Sequence, residues 1–137
     1  MTELTPELAA ELKRNVPPQR ELEGIEITAS EPGGVRYEID VPSSVLNYHG
    51  TIHGGFVSTL LEVAAGMATY AYGVSNVALA CSTNFIRAVG AERVAVTAEA
   101  SHKGRSTAVV HCSINQASTG KLVAEATYTM FLLGPLA

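Results

Sequence analysis

Two periodicities divide the chain. From Ile25 apolar residues recur at every second position: Ile25, Ile27 and Ala29 alternate with Glu26, Thr28 and Ser30, and after Pro32-Gly33-Gly34 the pattern resumes with Val35, Tyr37, Ile39 and Val41 against Arg36, Glu38 and Asp40. Such alternation predicts half-buried strands, and the Pro-Gly-Gly turn between them predicts a hairpin with one wet face. Residues 56 to 72 break the rhythm. Apolar and small side chains run nearly all the way round a helical projection there, which predicts a helix buried on most of its surface. Period two then returns at 76 to 87. A fourth strand is predicted through Val94, Val96, Ala98 and Ala100 to a turn at Lys103-Gly104. A fifth carries Ala108, Val110, Cys112 and Ile114 to Ser118-Thr119-Gly120, and a sixth runs from Leu122 through Ala124, Ala126 and Tyr128 to Met130.

Six strands and one long apolar helix predict an α+β fold, a largely antiparallel six-stranded sheet wrapped around a central helix. Ahead of it, Thr5-Pro6-Glu7 supplies a hydroxyl cap, a proline at the first helical position and an acid in the first turn, so a short helix is expected to end before Val16-Pro17-Pro18. At 137 residues, with no repeat or low-complexity linker, the chain reads as one domain: residues 1–20 as N-terminal helix and linker, 21–137 as the core.

Composition narrows the function. With 47% hydrophobic residues, 16% charged and a net charge of −4, nucleic-acid binding is disfavoured. The polar N-terminus, with Glu3, Glu7 and Glu11, and a 63 to 86 run broken by Gly, Thr, Tyr, Ser and Asn lead us to expect neither signal peptide nor membrane span. Cys81 and Cys112 lack metal-ligand spacing and are expected as buried strand residues of a reduced, cytoplasmic protein. No third ligand accompanies His49 and His53, so no metal is expected.

Between Asp40 and Arg87 the only formally charged side chain is Glu62, inside the apolar helix. A lone acid there either faces solvent or is placed at a cavity where its charge is used. The helix start favours the second reading. His53-Gly54-Gly55 follows the turn-like Asn47-Tyr48-His49-Gly50, which leaves first-turn N–H groups unencumbered and without intrahelical partners. A helix N-terminus of that kind suits a carbonyl oxygen that becomes an oxyanion.

With those residues the chain resembles hotdog-fold thioesterases of the phenylacetic acid degradation and 4-hydroxybenzoyl-CoA thioesterase group. The signature is Asn47, Gly50, His53-Gly54-Gly55 and an acid nine residues after the histidine, Glu62; Asn84-Phe85-Ile86-Arg87 and His102-Lys103-Gly104-Arg105 resemble segments that border the coenzyme A site. The resemblance implies hydrolysis of an acyl-CoA thioester, with coenzyme A as part of the substrate and no separate cofactor. It implies that Gly54 polarises the carbonyl, His53 shapes the turn, Asn47 sits near the thioester or the water, and Glu62 is nucleophile or general base. It also implies substrate contacts from Gly55, Phe56, Thr59, Ser82, Arg87, Val89, His102, Lys103, Gly104, Arg105 and Ser106. The acyl group stays open, with a tilt toward arylacetyl or benzoyl. Two departures stand out: some relatives carry a hydroxyl one turn after the acid, where this chain has Gly66, and others a serine aligned with Ala80. Ser58, Thr59 and Ser82 are candidates to hold the water instead.

Gly54 and Glu62 are eight residues apart, ~12 Å along a helix rising ~1.5 Å per residue. One chain's Glu62 therefore cannot share a thioester carbon with its own Gly54. Two helices antiparallel across a two-fold axis bring the start of one beside the middle of the other, which predicts a homodimer with composite sites; the resemblance adds pairing into a tetramer. Two other readings remain: an acyl-CoA-binding sensor without turnover, and an enoyl-CoA hydratase, although the chain lacks the proline-containing histidine motifs of such hydratases.

Overall fold

The structure, a computed structural model, describes residues 4–13 and 19–136. A short helix α1 (Pro6–Lys13) precedes six strands, β1 (Glu26–Glu31), β2 (Gly34–Asp40), β3 (Val74–Phe85), β4 (Arg93–Lys103), β5 (Thr107–Gln116) and β6 (Leu122–Pro135). They form one antiparallel sheet in the order β1-β2-β4-β5-β6-β3, and the long helix α2 (Gly54–Tyr70) lies in its curve. The α+β expectation holds. Thr5 caps α1 as expected, its hydroxyl accepting from Leu8 N at 3.2 Å; the expected stop at Val16-Pro17-Pro18 lies outside the described residues.

Helix α2 follows from its sequence. Ala, Leu and Met dominate after the first turns, and Leu60, Leu61, Ala64, Ala65, Met67 and Ala68 are fully buried. Against them pack Val35, Tyr37 and Ile39 of β2, Val94, Val96 and Ala98 of β4, Val110 and Ile114 of β5, and Ala124 and Met130 of β6. Each large side chain so buried stabilises the fold by ~1.5–3 kcal/mol relative to exposure. Tyr37 is buried completely, and its hydroxyl donates to Leu60 O at 2.6 Å. That bond fixes helix against sheet at the middle of the core.

The hairpin turn is docked on the far end of α2. Gly33 adopts φ +80°, its N–H donates to Ala68 O at 3.1 Å and its carbonyl accepts from Ala100 N at 2.7 Å. A side chain there would be strained by the backbone and would strike the Tyr72 ring. Along β1 the expected alternation slips: Ile27 pairs with Tyr37 but Ala29 with Arg36, so Thr28 is an extra residue in a bulge. Ser30, expected on the wet face, is consequently buried.

A second bulge matters more. On β3, Ala78 pairs with Met130 and Ala80 with Thr129, leaving Leu79 as the extra residue. Before it Asn76 and Ala78 share the helix-facing side with Leu132 and Met130; after it Cys81, Thr83 and Phe85 do, opposite Tyr128, Ala126 and Ala124. As an edge strand β3 has one neighbour, and most of it is exposed. Cys81 is therefore exposed, contrary to the expectation from its apolar surroundings, whereas Cys112 is buried and desolvation pushes its thiol up to about 12. Strand β6 also runs past the expected end at Met130, because its last residues pair with the start of β3.

Candidate active site

The segment before α2 is a folded loop held by one side chain. Asn47 Oδ1 accepts from His49 N at 2.9 Å and from Thr51 N at 3.2 Å, and its Nδ2 donates to Thr51 Oγ1 at 3.0 Å. Gly50, at φ +82°, completes the turn, and Leu46 bridges to Ile52. His53 N then donates to Val45 O and Ile52 N to Val89 O, which anchors the loop on both sides of α2. Asn47 thus spends its amide organising the loop that delivers the helix.

His53 is the N-cap. Its Nδ1 accepts from Gly55 N at 3.1 Å, which requires a neutral ring carrying its proton on Nε2. Phe56 N and Val57 N both donate to His53 O. Three first-turn donors are thereby satisfied, and Gly54 N–H has no partner among the described residues. The helix dipole and this donor point the same way, so an acyl oxygen gaining negative charge is stabilised there. The His53 cap takes the Gly55 N–H and leaves the Gly54 N–H over.

A cleft of about 320 Å³ opens beside that donor, lined by Ile52, Gly54, Val57, Phe85, Ile86, Arg87, Ala88, Val89 and Val123. The Phe85 ring stands over Gly54, so that a Cβ on Gly54 would sit 3.6 Å from it. Arg87 and Val89 fall in this cleft with Gly54. On the other flank, His53, Gly55, Phe56 and Thr59 border an open hollow of about 350 Å³ with Ser44, Val45 and Leu46.

Glu62 lies elsewhere. It is exposed on α2 and lines a separate hollow of about 290 Å³ with Thr59, Val63, Gly66, Asn76, Val77, Ala78, Met130 and Gln19. Asn76 Nδ2 donates to Gly66 O at 3.3 Å, and Thr59 Oγ1 donates to Gly55 O at 3.0 Å. Close by, the Tyr128 phenol is held well above its usual range, chiefly by burial and further by the nearby Cys81 and Glu62. The bulge at Leu79 decides which strand residues enter this hollow. Ala78 does so and Ala80 does not. Ser82 pairs with Thr127 on the outer sheet face, in a shallow polar depression with Glu99 and His111, so this chain does not bring it to Glu62 or Gly54. Asn76 was missed in the sequence; its only local signal is a polar side chain where the third strand begins.

His102 and Lys103 end β4, and Gly104, Arg105 and Ser106 turn the chain into β5. Lys103 Nζ lies 5.4 Å from the centre of the Tyr72 ring, just past the C-terminal end of α2. The 17 residues of α2 separate this turn from Gly54, ~25 Å along the helix. Within one chain the two groups of basic residues, Arg87 and Lys103 with Arg105, sit at opposite ends.

An antiparallel six-stranded sheet curled round one long helix is the architecture of the hotdog thioesterases. A family model described as the thioesterase superfamily matches residues 49–123, and the chain belongs to that family. Acyl-coenzyme A thioesterase PaaI of Escherichia coli is 30% identical over 92 residues, covering 66% of each chain. Human acyl-coenzyme A thioesterase 13 is 29% identical over 117 residues, 83% of this chain and 84% of the relative. The crystal structure of a hypothetical thioesterase from Streptococcus pneumoniae with coenzyme A superposes with a TM-score of 0.85 at 29% identity, covering 93% of this chain and 98% of that one. Among the described residues, no helix is long and apolar enough to cross a membrane.

Proposed function

We propose that the protein hydrolyses acyl-CoA thioesters at two composite sites of a homodimer, each built from Gly54 of one subunit and Glu62 of the partner subunit. The observation that carries the reading is the unpartnered Gly54 N–H at the mouth of an apolar cleft, with the carboxylate in a different hollow of the same chain. Each half is of limited use alone. Strand β3 offers the means of joining them: an uncharged 12-residue edge with Val77, Leu79, Phe85 and nearby Ile86 exposed. Antiparallel pairing of two such edges continues the sheet and lays the two α2 helices side by side in opposite directions.

In that arrangement the thioester oxygen accepts from Gly54 N–H, and negative charge develops where the helix terminus stabilises it. Glu62 of the partner subunit faces the carbonyl carbon as base or nucleophile. Antiparallel helices also bring the partner's β4–β5 turn toward the Gly54 end, so that Lys103 and Arg105 join Arg87 as cations for the coenzyme A phosphates. Asn47 and His53 act through the loop and cap they maintain. The two thiols, both free, suit a reducing cytoplasmic setting. Pairing of dimers into a tetramer completes the assembly we propose.

The test is thiol release from a panel of aryl and aliphatic acyl-CoA thioesters by the native protein and by Glu62→Gln. Turnover by the native protein, with a loss of roughly 10²–10⁴-fold in kcat and retained coenzyme A binding in the variant, is expected. Binding without turnover in both proteins overturns the reading in favour of a sensor.

A further inference from the structure

A carboxylate that activates water needs help to aim it. Water bound to one acceptor still rotates about that bond, and its lone pair faces the carbonyl carbon only when the second O–H is also held. The hollow around Glu62 has few acceptors for that bond. Gly66, one turn after Glu62, has no side chain; Ala78, Val63 and Val77 are apolar, and the Met130 thioether is a weak acceptor. Thr59 Oγ1 donates to Gly55 O and keeps acceptor lone pairs, but it lies on the helix-start side of Glu62, away from the strand β3 wall of the hollow. Gln19 is exposed at the rim.

Asn76 is different. Its Nδ2 donates to Gly66 O, which fixes the amide plane and tells nitrogen from oxygen; Oδ1 then has no partner among the described residues and belongs to a side chain that lines the hollow with Glu62. Asn76 reaches the Gly66 carbonyl from the first residues of β3, and pairing with Leu132 and Met130 keeps Asn76 and Ala78 on the helix side of the strand.

We propose that Asn76 Oδ1 and the Glu62 carboxylate together hold the attacking water, with Glu62 acting as general base. The inference rests on the thioesterase reading above and deepens it. Water oxygen bonds to the acyl carbon while one proton passes to Glu62; the second O–H stays on Asn76. The carbonyl electrons move onto the oxygen at the partner subunit's Gly54 N–H. Collapse of the tetrahedral intermediate breaks the C–S bond, and the departing thiolate takes the proton from Glu62. Free acid and coenzyme A thiol leave, and the carboxylate is restored.

The experiment compares native protein, Asn76→Ala and the double variant Asn76→Ala/Gly66→Ser, measuring kcat and KM for thioester hydrolysis and the partition of acyl groups between water and added hydroxylamine. Thermal melting of each variant reports folding. Expected for Asn76→Ala is a loss of about tenfold or more in kcat with KM within about twofold, and a shift of partition toward hydroxamate because only the water has lost its second anchor. Gly66→Ser returns an acceptor one turn after Glu62 and is expected to recover part of the loss. Unchanged kcat in Asn76→Ala overturns the proposal and leaves the thioesterase reading standing. A lowered melting point with hydrolysis and hydroxamate formation falling together also overturns it, since that marks a structural role. Native protein inactive on every thioester overturns both.

Discussion

The sheet has two edges, and they are built in opposite ways. Strand β1 is six residues long, bulged at Thr28, and carries Glu26 and Glu31. Arg93 on β4 reaches over β2 to Glu26 at 2.8 Å and holds Glu38 at 3.0 Å and Asp40 at 3.2 Å, so charge is spread over that end of the sheet. Strand β3 is twice as long, has no charged residue and exposes Leu79 and Val77. Short, twisted and charged edges resist pairing with another chain, whereas long neutral ones invite it. The contrast leaves β1 protected against pairing and β3 open to the edge pairing proposed above.

Charging the open edge is the strongest way to break this contrast. Leu79→Lys is expected to yield monomers in sedimentation and to lower thioesterase activity by roughly 100-fold or more, because each site loses its second half. The matching change at the closed edge, Thr28→Lys, is expected to leave both readouts unaltered. If Leu79→Lys stays dimeric and active, β3 is not the interface.

A stability difference should separate the two halves next. Tyr37→Phe removes the hydroxyl bonded to Leu60 O, and a loss of about 1–3 kcal/mol in denaturant unfolding is expected because that carbonyl sits in the dry core. The oligomeric state should not move. Thiol labelling sharpens the other side: Cys112 is expected to stay unreactive at pH 8 in the folded protein, whereas Cys81 is expected to react in Leu79→Lys and to be shielded in the native protein by the proposed edge pairing. Rapid labelling of Cys81 in the native protein would count against edge pairing there.

The smallest effect is that of the Arg93 cluster. The Arg93 guanidinium bonded to Glu38 lowers that carboxyl from 4.5, so its stabilising contribution is fully present above the ordinary carboxylate range and is lost as pH falls through the lowered value. Melting curves of Arg93→Ala and native protein are therefore expected to differ slightly at neutral pH and to converge in acid. The partners are partly exposed, and salt should shrink the difference further.

Much of this was legible in the chain itself. An apolar stretch with one acid, bounded by His53-Gly54-Gly55, announced the central helix and where it starts, since burial and capping are governed by near neighbours. What escaped notice depended on distant partners. Thr28 and Leu79 look like ordinary alternating positions, and only pairing with β2 and β6 makes them bulges. From that follow the burial of Ser30, the outward turn of Ser82 and the presence of Asn76 and Ala78 beside Glu62. Cys81 sits among apolar residues, yet a strand at the border of a sheet has nothing to cover it within its own chain.

Leu79 also governs how this gene tolerates change. Deleting its single codon would let β3 pair with β6 as a regular ladder with every partner kept, since Ala78 would still meet Met130 and Ala80 would still meet Thr129, so Cys81, Thr83 and Phe85 would go on facing the helix. The aromatic ring over Gly54 would keep its side of the strand. At this one point the chain can shorten without exchanging the face that meets the helix for the face that meets water, whereas losing any paired residue of β3 after it would turn part of the strand over.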